Sequence, residues 1–140
     1  MESVNSNETI ASLRVHSETL SPDDISTTLG KTPTSIGEKG ALMSPGNPAS
    51  HRRETSLWLL ESDLPRSVEL EDHIAHLLTF IEAHSVQFSR IRAHCETDIF
   101  CGFFSHQSQG HFYLDVKLMN RLVALNADLV FDIYGTSEKD

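Results

Sequence analysis

The feature that most constrains the fold is a stripe of apolar residues at helical spacing in the middle of the chain. It begins near Ser67 and predicts one uninterrupted helix of roughly 25 residues, nearly 40 Å long at the usual rise per residue. A second apolar pair, Leu78 and Phe80, indicates that this helix is covered on more than one side. The stripe consists of Leu70, Ile74, Leu77, Ile81, His84, Phe88 and Ile91.

Strand patterns lie on both sides of this helix. The segment 98–104 is apolar on both faces, which is typical of a central strand. A polar loop ending at Gly110 then predicts a hairpin-like connection into a short strand. The predicted strands are 10–16, 55–60, 98–104, 112–114 and 129–134.

Two shorter helices are predicted by the residues that begin and end them. Ser21 can cap the first helix, Pro22 suits its first position, and Gly30 can end it. Asp115 can cap the second, and Asn126 can end it in a left-handed turn. The resulting order β-α-β-α-β-β-α-β predicts an α+β fold, a ferredoxin-like sandwich of about five strands with two short helices and one long helix.

A chain of 140 residues has the size of one domain, which we expect to span residues 10–135. The polar segments 1–9 and 136–140 are expected to be disordered tails. Residues 31–53 contain three prolines and three glycines, which predicts a long loop. Loops of this length inside compact domains are usually functional or loosely ordered.

Charge limits the classes of partner. The chain has 11 Lys+Arg against 20 Asp+Glu, a formal net charge of −9. We therefore expect no nucleic-acid partner, because phosphate binding needs clustered basic residues, whereas a basic protein partner would be attracted. No apolar run of the roughly 20 residues that a membrane span needs is present, and the first residues do not resemble a signal peptide, so we expect a cytoplasmic protein without a membrane partner.

No cofactor and no catalytic residue are predicted, because the chain lacks the fingerprints of P-loop, dinucleotide-binding, kinase and serine-hydrolase families. The two thiols, Cys95 and Cys101, are six residues apart and fit neither a redox motif nor a zinc motif. We expect them to be reduced and to behave as small apolar groups.

One cluster on the long helix is a candidate metal site. Glu69, Asp72, His73 and His76 are spaced so that their side chains fall on neighbouring turns, and imidazoles with carboxylates can bind zinc or another divalent ion. The spacing H-x-x-H is a weaker metal pattern than H-E-x-x-H. A solvated helix face with salt bridges is the favoured interpretation.

Charged residues of three strands form a second candidate site. Arg14, Asp98 and Asp132 are predicted on strands, where the carboxylates either protect an edge or form an ion pair with Arg14; the alternative is that all three line a polar pocket on one sheet face. Arg52 and Arg53 follow His51 in a basic segment that is either a solvated loop or a partner contact. Trp58 is expected in the core, with a ligand platform as the alternative.

The chain contains a series of short motifs in this order: Leu20-Ser21-Pro22-Asp23-Asp24-Ile25, Leu29-Gly30, Pro33-Thr34, Lys39-Gly40, Leu57-Trp58-Leu59, Asp98-Ile99-Phe100-Cys101-Gly102 and Asp132-Ile133-Tyr134-Gly135. With these motifs the chain resembles a small bacterial family catalogued only as a domain of unknown function. The resemblance implies a bacterial, stand-alone, cytosolic domain and carries over no catalytic residue. It also makes the loop with Lys39 and Gly40 the first candidate for binding.

Three functional hypotheses follow. The leading one is a non-enzymatic protein-binding module, such as an immunity-type inhibitor that covers a basic partner. The alternative is a small-molecule or metal-dependent enzyme built around the 31–53 loop and the His73/His76 helix face. The third is a homodimer that uses an open sheet edge or the second apolar face of the long helix.

Overall fold

A five-stranded mixed sheet carries the core, and helices pack against one of its faces. The computed structural model describes residues 7–135. The strand order is β2-β3-β1-β4-β5, with β4 and β5 parallel and the other neighbours antiparallel. The elements are β1 (Asn7–Ser17), α1 (Pro22–Leu29), β2 (Ser35–Gly37), β3 (Ser56–Glu61), α2 (Leu70–Ala83), α3 (Ser85–Arg92), β4 (Glu96–Ser105), α4 (Val116–Ala124) and β5 (Leu129–Gly135).

Strand alternation divides the sheet into two sides. In the central strand β1, Ala11, Leu13 and Val15 are buried in the core, whereas the side chains between them point to the other side of the sheet. We call that other side the open face, because most of its side chains stay partly exposed. It carries Ile10, Arg14, His16, Leu57, Leu59, Asp98, Phe100, Phe104, Val130, Asp132 and Tyr134.

Helix α1 begins and ends at the predicted residues. Ser21 Oγ accepts a hydrogen bond from the Asp24 N–H at 3.1 Å, and Asp24 Oδ2 accepts one from the Ser21 N–H at 3.1 Å. This reciprocal pair is a capping box. Gly30 ends the helix in the left-handed conformation with φ 65°, which glycine adopts without steric cost.

We expect Ser21→Ala to lower the free energy of unfolding by about 1 kcal/mol, because the first turn would lose its side-chain cap. Thr27→Ala is the matched control, since Thr27 is an exposed residue of the same helix. Urea unfolding at neutral pH measures both variants. Equal effects of the two substitutions would show that the cap does not stabilise the protein.

The prediction of a single long helix from Ser67 onwards is wrong. The chain forms α2 and α3, separated at His84, whose φ of −123° and ψ of 35° are not helical. The His84 Nδ1 atom lies 2.9 Å from the Phe80 carbonyl oxygen, which in a continuous helix would accept a hydrogen bond from the His84 N–H. The His84 N–H bonds instead to the Ile81 oxygen at 3.1 Å, so a side chain replaces one helical hydrogen bond.

Two strand predictions also differ from the structure. Residues 112–114 do not form a strand; the Phe112 ring lies 5.2 Å from the Phe103 ring and 5.3 Å from the Phe131 ring. The fifth strand is β2, inside the segment predicted as a loop. The α+β class is confirmed, but the element order and the strand order are not those of a ferredoxin-like sandwich.

Strand β1 begins at Asn7, before the predicted start at Ile10, because its first residues pair with the end of β4. The remaining residues of the two predicted tails, 1–6 and 136–140, lie outside the described residues. Within residues 7–135, no helix has both the length and the apolar character that crossing a membrane would require.

Candidate functional site

The structure brings together two of the three charged strand residues. Arg14 and Asp98 are direct partners on β1 and β4, and Arg14 Nε and Nη2 donate to the two Asp98 carboxylate oxygens at 2.7 and 2.8 Å. The guanidinium also lies 4.4 Å from the centre of the Phe100 ring. Asp132 lies on the same open face but accepts a hydrogen bond from the Tyr134 hydroxyl at 2.7 Å. The predicted ion pair is present, and Asp132 takes no part in it.

The 31–53 segment is held by internal hydrogen bonds. Gly40 N–H donates to the Arg53 oxygen at 2.8 Å, and the Arg52 Nη1 donates to the Gly40 oxygen at 2.8 Å. Lys39 Nζ donates to the Glu18 carbonyl oxygen at 3.1 Å. Each of these predicted binding residues therefore has a partner within the chain.

Two observations show that neighbouring candidates have structural roles. The Arg53 side chain lies over Gly37, where a Cβ atom would come within 2.5 Å of Arg53 Cζ. Trp58 has 0% exposure and donates from Nε1 to the Ser26 Oγ at 2.9 Å. Trp58 is therefore a core residue, as the favoured interpretation predicted, and not a ligand platform.

The four predicted metal ligands do not converge. His73 is 1% exposed, and its Nδ1 lies 2.6 Å from the Ser62 Oγ, whereas His76, Asp72 and Glu69 are exposed. The boundary between the buried and exposed sides of α2 therefore runs between the two histidines. In the part of the chain that the structure describes, no group of three or more His, Cys, Asp or Glu side chains can hold a metal ion.

Burial lowers the pKa of His73 below its ordinary value of 6.5, partly offset by backbone groups of Pro65 and Thr9 and by Asp72. The unfolded chain then binds more protons than the folded one, so stability is complete above about pH 7 and decreases as the pH falls. We expect a loss of at most about 1.4 kcal/mol from this residue between pH 7.5 and 5.5, if the unfolded pKa is about 6.5.

Urea unfolding at the two pH values measures this loss, and His73→Asn should reduce it because asparagine does not titrate. His16, whose pKa is also lowered first by burial and then by Arg14, contributes in the same direction. An equal loss in wild type and His73→Asn would contradict the role assigned to His73.

Two cavities adjoin at the end of the sheet where β1 ends and β4 begins. Their volumes are about 470 and 450 Å³, and both are lined by His16, Arg92, Cys95 and Glu96. Burial raises the pKa of Cys95, and it raises the pKa of Cys101 to about 12, so both thiols stay protonated at neutral pH. Neither cysteine is therefore present as the nucleophilic thiolate at neutral pH.

A third cavity, of about 630 Å³, joins the beginning of the 31–53 segment to α2 and the end of β3. His76 lines it together with Lys31 and Thr34. The structure thus brings His76 and this loop together, as the enzyme hypothesis requires, but His73 is buried beside Ser62.

The most distinctive surface is apolar and lies at the β5 edge of the sheet. Eight of the eleven large apolar side chains that are exposed in residues 7–135 lie on α4, on β5 or just before α4. Among residues 7–135, strand β5 pairs with β4 alone, so no described strand covers the backbone of its other side. We call the helix side of this region the edge surface; it consists of Tyr113, Val116, Met119, Val123, Phe131 and Ile133, whereas Val130 and Tyr134 point to the open face.

Part of the edge surface could be predicted from the sequence. Val116, Met119, Leu122 and Val123 are apolar residues at helical spacing between the predicted helix ends at Asp115 and Asn126. In the structure only Leu118 and Leu122 are buried, so the apolar arc of α4 is wider than the part that packs on the core. Such a wide apolar arc on a helix that leads into an edge strand is the pattern that could have located this surface.

Acidic side chains border the edge surface. Asp115, the cap of α4, accepts a hydrogen bond from the Leu118 N–H at 2.8 Å. The pKa of Glu71 is raised by partial desolvation and then by the nearby carboxylates of Asp115, Asp72 and Glu69. The basic residue Arg121 on α4 is already paired with Glu82 at 2.9 Å. The border therefore carries excess negative charge.

Comparison with known proteins gives one match. A family model described as Domain of unknown function (DUF4279) matches residues 7–136. Neither the curated proteins nor the solved structures contain a match to this chain.

Proposed function

Because the chain belongs to the DUF4279 family, a domain of unknown function, we propose its role from its surface: it is a non-enzymatic module that binds a basic protein. The contact surface is the edge surface on α4 and β5. In its most specific form, the proposal is a cytoplasmic, immunity-type inhibitor from a bacterium that covers a basic partner.

The observation that carries the proposal is the size of the exposed apolar region. The side chains of the edge surface are between 38% and 79% exposed. Together they present on the order of 500 Å² of apolar area, near the upper end of the roughly 300–600 Å² that the largest patch of a typical monomer covers, and such patches are often functional. One partner in a stable complex buries about 800 Å². A surface of this size beside an open strand edge is typical of a binding interface.

Charge favours a basic protein over a second copy of the chain. The formal net charge is −9, and the carboxylates of Glu69, Asp72 and Asp115, the cap of α4, all lie near Glu71. Two copies would bring like charges together, whereas Lys and Arg side chains of a partner would be attracted to the same border. We therefore place the homodimer second.

The test is gentle purification of the tagged full-length protein from its native cells, followed by native mass spectrometry of the eluate. We expect a stoichiometric complex with a basic protein at low salt, lost near 1 M salt, where charges are screened beyond about 3 Å. A homodimer alone, or the free protein alone at every salt concentration, would contradict the proposal.

The alternative, a small-molecule enzyme, has one supporting observation. The cavity of about 630 Å³ places His76 beside Lys31, at the beginning of the 31–53 segment. Detection of a bound small molecule and no protein partner in the same native spectra would favour this alternative over protein binding.

A further inference from the structure

The cavity between the 31–53 segment and α2 has the form of a small-molecule site, independently of any protein partner. Its volume of about 630 Å³ lies within the range of roughly 300–1,000 Å³ that ligand sites occupy. Leu60, Leu77 and Ala83 provide apolar walls. Polar side chains are also part of the lining, as in most sites that fix the orientation of a ligand.

The rings of Phe80 and His84 line this cavity in contact with each other, and we call this pair the aromatic platform. The centroids of Phe80 and His84 are 4.4 Å apart with an angle of 38° between the rings. The Phe88 ring packs edge-on against Phe80 at 5.9 Å and 87°. The contact of His84 Nδ1 with the Phe80 carbonyl at 2.9 Å fixes the histidine ring, because this nitrogen must carry the proton to donate. The break between α2 and α3 thus holds the platform in place.

Charged groups of both signs lie at the cavity wall. Lys31 Nζ is 5.9 Å from the centre of the Phe80 ring, which places a strong donor beside the platform. Glu61 and Asp63 also line the cavity, and within residues 7–135 neither carboxylate takes part in an ion pair. Asp63 has φ 62°, an uncommon left-handed conformation for a residue other than glycine.

We infer that this cavity binds a planar heteroaromatic molecule, of nucleoside size or smaller, that carries both hydrogen-bond donors and acceptors. The rings of Phe80 and His84 offer a stacking surface, the carboxylates accept from the ligand, and Lys31 donates to it. One lysine beside two carboxylates disfavours a ligand with a phosphate group. An aliphatic ligand would leave the platform unused.

The test is saturation-transfer NMR of the full-length protein with adenosine, guanosine, cytidine and uridine as probes. We expect at least one nucleoside to receive saturation mainly on its base protons, and its 5′-monophosphate to bind at least threefold more weakly. Ala83→Trp should weaken binding at least tenfold by filling the cavity. Ser89→Trp is the matched control, because Ser89 is exposed on α3 and does not line the cavity.

Glu61→Gln is a second variant that keeps the volume of an exposed side chain, and it should weaken binding by removing a charged acceptor. Circular dichroism melts check that each variant is folded. The inference is overturned if none of the four nucleosides receives saturation, or if Ala83→Trp and Glu61→Gln, while folded, bind as wild type does.

Discussion

Replacing Val123 by aspartate should reduce capture of the basic partner by about 100-fold, equivalent to about 2.7 kcal/mol. Val123 is 79% exposed on α4, so the new carboxylate is hydrated in the free protein. In the complex it would be buried with no hydrogen-bonding or ionic group opposite it. The melting temperature should fall by no more than about 5 °C, since the core loses no contact and a carboxylate in the last turn of a helix costs at most about 1 kcal/mol. Quantitative mass spectrometry of the captured partner measures the effect.

Ala124→Asp is the matched control for this variant. It adds the same charge one residue further along α4, on another exposed side of the helix. Capture should fall by less than about threefold, since a charge outside the apolar centre mainly affects association through its field. If both aspartates reduced capture equally, added charge and not the apolar contact would be responsible.

Trp58→Ala should lower the free energy of unfolding by about 3–5 kcal/mol, the largest stability effect that we expect from one substitution. The side chain is fully buried, so its removal leaves a cavity in the core. The hydrogen bond from Nε1 to Ser26 is lost as well. Urea unfolding measures the change.

Trp58→Phe separates the core role from a binding role. Phenylalanine keeps most of the ring volume and removes the donor, so we expect a loss of only about 1–2 kcal/mol and unchanged partner capture. Reduced capture by folded Trp58→Phe would restore the ligand-platform interpretation of this residue.

The parts of the fold that were predicted correctly are those set by local chemistry. The ends of α1 depend on Ser21, Asp24 and Gly30, which lie within one short segment. The Arg14–Asp98 pair followed from strand alternation, because it required only that two charged residues lie on the same side of neighbouring strands.

The errors arose where the structure depends on contacts distant in sequence. The helix break at His84 replaces a main-chain hydrogen bond by a side-chain one, which the apolar spacing does not reveal. Phe112 was assigned to a strand by its apolar neighbours, but its position depends on Phe103 and Phe131. Strand β2 has three residues and exists through its pairing with β3.

The candidate site was harder to predict because exposure is a property of the whole fold. Val123 and Leu122 are neighbours of similar apolar character, yet one is exposed and the other buried. His73 and His76 show the same contrast on α2. No periodicity indicates how much of an apolar arc the core will cover.

The most direct test of the central claim is site-specific photo-crosslinking in the native cells, with p-benzoylphenylalanine placed at Val123 or, as the control, at the exposed Thr27 of α1. We expect a crosslink from position 123 to a basic protein, and none from position 27. A crosslink from position 123 only to a second copy of this chain, or no crosslink from it, would contradict the proposal that the edge surface binds a basic partner.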